Sequence, residues 1–268
     1  MNNRKTFMIM LAVCVAPWMS TDLFAAKDWQ NLYSKIKDKY QKFEEKIADM
    51  TIIQNTKTMA EGFQADTKMV IWKKGQKFKV EVEMAMPGMP EGAKGMKSFF
   101  INDGKDTWMI SPLTGKQKLN SDENMPIETS GNWWQMITDN AKLAGEEKVE
   151  GRNCAIVDFN EPEDSDNIFA RLWVDKDDLV LVKGESRPIQ DRKISWKYLD
   201  FRKVGGSWLM PYITQVFSDG ELVSSSVVQS LKMNTGLNDA IFDASKIEVP
   251  DSNLGDMMKM MMDQNQQE

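Results

Sequence analysis

At 268 residues, 41% hydrophobic and 28% charged, the chain is long enough to bury one large β-rich core or two smaller ones. It has no histidine, which excludes Ser-His-Asp and Cys-His nucleophile systems, HExxH zinc sites, His-ligated haem and imidazole pH switches. A formal charge of -6 argues against nucleic acid as a partner, because neutralising phosphates needs a basic surface.

The first segment reads as a secretory signal peptide. Arg4 and Lys5 form a positive start, residues 7–16 an apolar stretch, and small residues follow at Ala25 and Ala26, with cleavage expected after Ala25. About ten apolar residues before Pro17 fall short of the roughly 20 that span a bilayer. The rival is a lipoprotein signal ending at Cys14, with Leu11, Ala12 and Val13 before it, but Val13 is larger than the small residue wanted there. Removing residues 1–25 leaves a charge of -7 and a single cysteine, Cys154, so no intramolecular disulfide can form in an exported protein. Cys154 lies in an apolar run and reads as a small buried hydrophobe.

Over residues 29–50 the apolar side chains Trp29, Leu32, Tyr33, Ile36, Tyr40, Phe43, Ile47 and Met50 recur every three or four positions, predicting one long amphipathic helix. Past residue 50 the period becomes two, most clearly where Phe78, Val80, Val82, Met84 and Met86 alternate with Lys79, Glu81 and Glu83. Similar runs occur at 51–59, 67–74, 97–102, 106–111, 153–159, 168–175, 179–186, 193–204, 207–217 and 222–233. Turn signals separate them, such as Asn102-Asp103-Gly104-Lys105 and Gly205-Gly206. The expected fold is α+β, mostly antiparallel: a curved half-barrel sheet lidded by helices. Further helical pieces are predicted at 132–141, with Asn132 as cap, and as a short turn at 238–242. The domain plan is a signal peptide at 1–25, one binding domain at 26–250 and a methionine-rich tail at 251–268.

Few residues carry chemistry. Glu161, Glu163, Asp164 and Asp166 alternate with Pro, Ser and Asn as a solvated loop does. Asp175-Lys176-Asp177-Asp178 is too short for a calcium loop and reads as a hairpin turn. Methionine is distinctive, with 21 in the chain and two concentrations, one at Met84, Met86, Met89 and Met96, the other at Met257, Met258, Met260, Met261 and Met262. Such clusters can bind Cu(I) or form a greasy surface that repacks around apolar partners. A wide curved sheet has more concave apolar area than one or two helices cover, so a leftover pocket suited to an acyl chain is expected.

The segments ARLWVDKDDLVLVKGES (170–186) and YLDFRKVGGSWLMPYI (198–213) resemble the outer-membrane lipoprotein-sorting family of LolA-like carriers. Residues 231–234 followed by 241–243, the hairpin 99–112 and the strand 151–157 are similar to other parts of those proteins, so the likeness spans most of 28–248. It implies a periplasmic half-barrel whose apolar interior carries acyl chains of lipoproteins or other lipids, without catalysis or cofactor. On that reading Trp72, Phe78, Val80, Val82, Met84, Met86, Phe99 and Trp108 line the cavity, while Leu32, Ile36, Tyr40, Met89 and Met96 form its lid. The partners are lipoprotein acyl chains or lipid, and envelope membrane proteins; the protein is expected to be a monomer that binds neither metal nor nucleic acid. A soft-metal binder or an envelope interaction or sensor domain is the alternative.

Overall fold

The two-residue alternation becomes one antiparallel sheet in the computed structural model, which describes residues 21–60, 63–85, 95–119, 133–137, 140–160, 167–189, 191–206 and 208–250. Helix α1 (Thr21–Glu44) comes first. Six strands follow as a meander: β1 (Met50–Ala60), β2 (Phe63–Lys74), β3 (Lys77–Ala85), β4 (Met96–Asn102), β5 (Thr107–Ser111) and β6 (Gly115–Leu119). A second meander contains β7 (Ala141–Val149), β8 (Arg152–Phe159), β9 (Phe169–Asp175), β10 (Leu181–Ser186), β11 (Ile194–Val204), β12 (Trp208–Ser218) and β13 (Glu221–Met233). Pairing of β1 with β13 fuses the meanders into one open, curved sheet, ordered β6-β5-β4-β3-β2-β1-β13-β12-β11-β10-β9-β8-β7.

This order puts β6 and β7, consecutive in the chain, at opposite edges. Between them in the chain, the 3-10 turn Trp133–Met136 packs into the core beside α1. That core unites Ile36 and Tyr40 of the helix with Trp133, Trp134, Ile52, Ile71, Val80, Leu172, Trp208 and Met210, so helix and turn lie on one face of the sheet. Tyr40 accepts a hydrogen bond from the Trp133 indole at 3.0 Å.

Two edge strands were not expected. β6 (GKQKL) and β7 (AKLAGEEKV) are largely exposed and carry several Lys and Glu side chains, and β7 has a register shift at Leu143/Gly145. Edge strands need no fully apolar face, and charge and bulges on them discourage pairing with other chains. The predicted helix at 132–141 is also corrected: among the described residues of that stretch the helical element is the short 3-10 turn Trp133–Met136, and Ala141 already belongs to β7. The 238–242 turn is present as Asp239–Phe242, with Asn238 accepting from the Ala240 amide.

The helix ends at Glu44 rather than at residue 50, because distant partners claim the residues that follow it. Asn234 accepts from the Ala48 amide at 2.7 Å and donates to the Lys46 carbonyl at 3.0 Å. Asp49, buried at the start of β1, accepts from the amides of Thr235, Gly236 and Leu237 and from the Thr235 hydroxyl. Burial alone would push its carboxyl up, but those hydrogen bonds outweigh it and hold Asp49 below the usual carboxylate range. A carboxylate depressed in the folded state stabilises fully above its unfolded value of about 4, and that contribution is lost as pH falls through the folded value. Thermal melts of Asp49→Asn should therefore lie below wild type at pH 7, with the gap closing towards pH 2.5. A gap independent of pH would contradict the assignment.

The hairpin after β2 is fixed to the C-terminal segment in turn, with Lys74 and Lys77 2.7 and 3.2 Å from Asp239. Cys154 is buried and unpaired; burial and the nearby Asp175 charge push its thiol up to about 11, as befits an inert core residue. Asp175 closes the β9–β10 turn by accepting from the amides of Asp177 and Asp178, and Arg152 bridges Asp175 and Asp178.

Candidate functional site: an apolar cavity on the sheet

Residues paired across an antiparallel ladder share a face, so registers place every inward side chain. Ile52 pairs with Ile71, Ile71 with Val80, and Val80 with Phe100, giving one transverse apolar row across β1 to β4. A step along the strands runs Val228, Gln54, Met69 and Val82; another runs Tyr198, Thr214, Ser226 and Thr56. All of these except Thr56 line a cavity of about 530 Å³, within the roughly 300–1,000 Å³ usual for small-molecule sites. Trp133, Phe169, Trp196, Met210 and Val216 also line it, with Ile168, Ile194 and Pro211. Seven strands adjacent in the sheet, β4 to β11 through β1 and β13, thus contribute to one floor.

Trp196 owes its position to a glycine. It pairs with Gly184 on β10, where an added Cβ would lie 2.4 Å from the indole ring, so the ring occupies the space a side chain would take. Phe169 packs against that ring at 5.6 Å between centroids, and Phe159 against Phe169 at 5.9 Å. Gly184→Ala should push the indole into the cavity, costing about 1–3 kcal/mol through overpacking and weakening acyl-probe binding. Urea unfolding together with probe titration checks both, and unchanged values in each would show that the ring has slack.

Of the residues expected to line the cavity, Val80 and Val82 do so. Phe78 lies on the same face but packs against the core. Met84 pairs in register with Met96, on that face one step beyond the lining. Trp72, Phe99 and Trp108 are on the opposite face, a correction that follows from alternation: once Val80 points inward, its partner Phe100 does too, and Phe99 must point out. Phe99 is buried there with Ile101, Ile110 and Ala244, with Trp108 and Ile247 packed against them. Lys79 sits 5.1 Å from the rings of both Trp72 and Phe99. Of the lid residues, Ile36 and Tyr40 are buried in the core and Leu32 packs against it. Met86, Met89, the C-terminal methionine cluster and the acidic run at 161–166 lie outside the described residues.

Sequence reading missed the rest of the lining, including Ile52, Ile71 and Phe100 of the apolar row and Gln54, Thr214 and Ser226 beside it. A transverse row of Thr and Ser has no apolar signature, and only strand register reveals that it floors a cavity. Among the described residues, no group of His, Cys, Asp and Glu could hold a metal ion, and no helix is long and apolar enough to cross a membrane.

No family model and no curated protein matches this sequence. Solved structures do. A DUF1329 family protein from Desulfovibrio piger matches with TM-score 0.57 at 17% identity, over 84% of this chain and 99% of its own. An outer membrane lipoprotein-sorting protein domain from Vibrio parahaemolyticus matches with TM-score 0.56 at 13% identity, over 79% of this chain and 96% of its own. A LolA superfamily protein from Nitrosomonas europaea gives TM-score 0.49 at 14% identity, over 75% of this chain and 93% of its own. The structural neighbours of this chain are thus DUF1329 and lipoprotein-sorting domains, with which it shares its fold; among the described residues that fold is a large open sheet with one α-helix.

Proposed function

We propose that this protein is a periplasmic carrier that binds acyl chains of lipoproteins or lipids in the cavity and serves outer-membrane sorting without catalysis. The cavity of about 530 Å³, walled mainly by apolar side chains on a sheet shared with lipoprotein-sorting domains, carries the reading. Burying each CH₂ contributes about 0.8 kcal/mol. A bilayer offers the cargo the same gain, so a carrier only has to match the membrane and gains most by opening and closing. Packing of helix α1 and the Trp133–Met136 turn on the cavity's face of the sheet, with Trp133 itself in the lining, supports a lid role for them. Export follows from the signal peptide reading, and the mature protein should begin at Ala26. Two measurements decide the carrier role: mass spectrometry of lipids co-purifying with protein from its native compartment, and titration with a fluorescent acyl probe. Absence of lipid together with no probe binding would sink it.

A further inference from the structure

We infer that the cavity selects amphiphiles with an uncharged, carbonyl-bearing head, an ester or amide, over free fatty acids, and that Gln54 and Thr214 read that head. The inference rests on the carrier reading and names the class of cargo for the same site.

One row across the cavity floor is apolar, with Ile52, Ile71, Val80 and Phe100. Two steps along lies a polar band, with Thr214 beside Ser226 in register and Gln54 one step back towards the apolar row, and beyond the band Trp196 and Val216 make the lining apolar again. An acyl chain seated on the apolar row places its head on this band.

The band is equipped for a neutral head. Among the described residues no Lys, Arg, Asp or Glu lines the cavity. A carboxylate drawn in would lose its water without gaining a cation, whereas an ester or amide carbonyl requires only a hydrogen-bond donor. Gln54 supplies one that is poorly used: its side-chain amide donates to the Met69 thioether at 3.6 Å, and a thioether sulfur is a weak acceptor. Exchanging that sulfur for a carbonyl oxygen improves the bond. Ser226 shares a hydrogen bond with Thr56 at 2.7 Å and so holds the band's geometry. Thr214, next to it, presents a second hydroxyl at the level of the head.

The test uses the full mature protein at pH 8 with an NBD-labelled monoacylglycerol as reporter, displaced by monoolein, oleate or 1-octadecene from the same detergent micelles. Wild type should release the reporter at about tenfold lower monoolein than oleate, the scale of one or two net hydrogen bonds. In the double variant Gln54→Leu, Thr214→Val, the margin of monoolein over octadecene, both read against the same reporter, should disappear, while octadecene, which has no head to read, still displaces the reporter and so reports an intact cavity. Oleate competing as well as monoolein, or a double variant that keeps the monoolein margin, overturns head selection and leaves the carrier reading standing. A reporter that does not bind wild type removes both.

Discussion

Replacing Trp208 with alanine is expected to destabilise the protein by about 3–5 kcal/mol, the scale of deleting a large aromatic from a core. Trp208 is the joint between helix and sheet. It stacks on Phe43 with centroids 3.8 Å apart and planes within 7°, meets Tyr40 edge-on at 4.5 Å, and has the Lys39 ammonium 5.0 Å from its ring. Lys39 also donates to the Asp178 carbonyl, and burial lowers its pKa despite the nearby carboxylates of Asp178 and Asp175. Removing the indole therefore takes away packing from two helical aromatics at once. Urea unfolding followed by far-UV circular dichroism measures the loss. A cost below about 1 kcal/mol, the level of an ordinary surface change, would mean the helix is held elsewhere. If the helix also acts as the lid, Trp208→Ala should release bound probe faster than wild type.

Placing a charge on the cavity floor should have the largest effect on binding. Val228 lies on β13, which with β1 forms the middle of the sheet, and points into the cavity beside Gln54. In Val228→Glu a bound acyl chain would have to bury the carboxylate with no cation among the described lining residues, a penalty of several kcal/mol. Affinity for an acyl probe should drop by at least about a hundredfold, roughly 2.8 kcal/mol. Val228 is only half-buried, so the empty protein can keep the carboxylate hydrated and should melt close to wild type. Val228→Leu, which keeps the floor apolar, should bind within a few-fold of wild type. Equal affinity for Val228→Glu would show that the probe sits elsewhere, for instance in the neighbouring hollow of about 420 Å³ between Phe43, Ile47, Tyr212 and Met233.

How much of this was readable from the sequence varies by element, for physical reasons. Strands such as β3, where Val80 and Val82 alternate with Glu81 and Glu83, were legible because one face is wet and the other dry. The edge strands were not, because an edge with charged side chains lacks that contrast. The helix was legible from its three-four spacing but its end was not. Ile47 and Met50 continue the helical period, yet Asn234 and residues 235–237, nearly 190 positions away, bind the backbone and Asp49 there and turn the chain into β1. Local periodicity cannot register a partner so distant.

The cavity shows the same division. Sequence by itself determined that the protein does no imidazole chemistry and builds a broad antiparallel sheet with an amphipathic helix packed on it. Those are properties of composition and of local period. Tertiary structure decided which of two neighbouring aromatics, Phe99 or Phe100, faces the cavity, that Trp108 packs with Ala244 and Ile247 of the C-terminal segment, and that Trp72 shares the outer face with Lys79. It also brought β1 beside β13, so that Gln54, Thr56, Ser226 and Thr214 meet in one band. Alternation says that successive side chains point to opposite faces; only register and sheet order say which face is the inside.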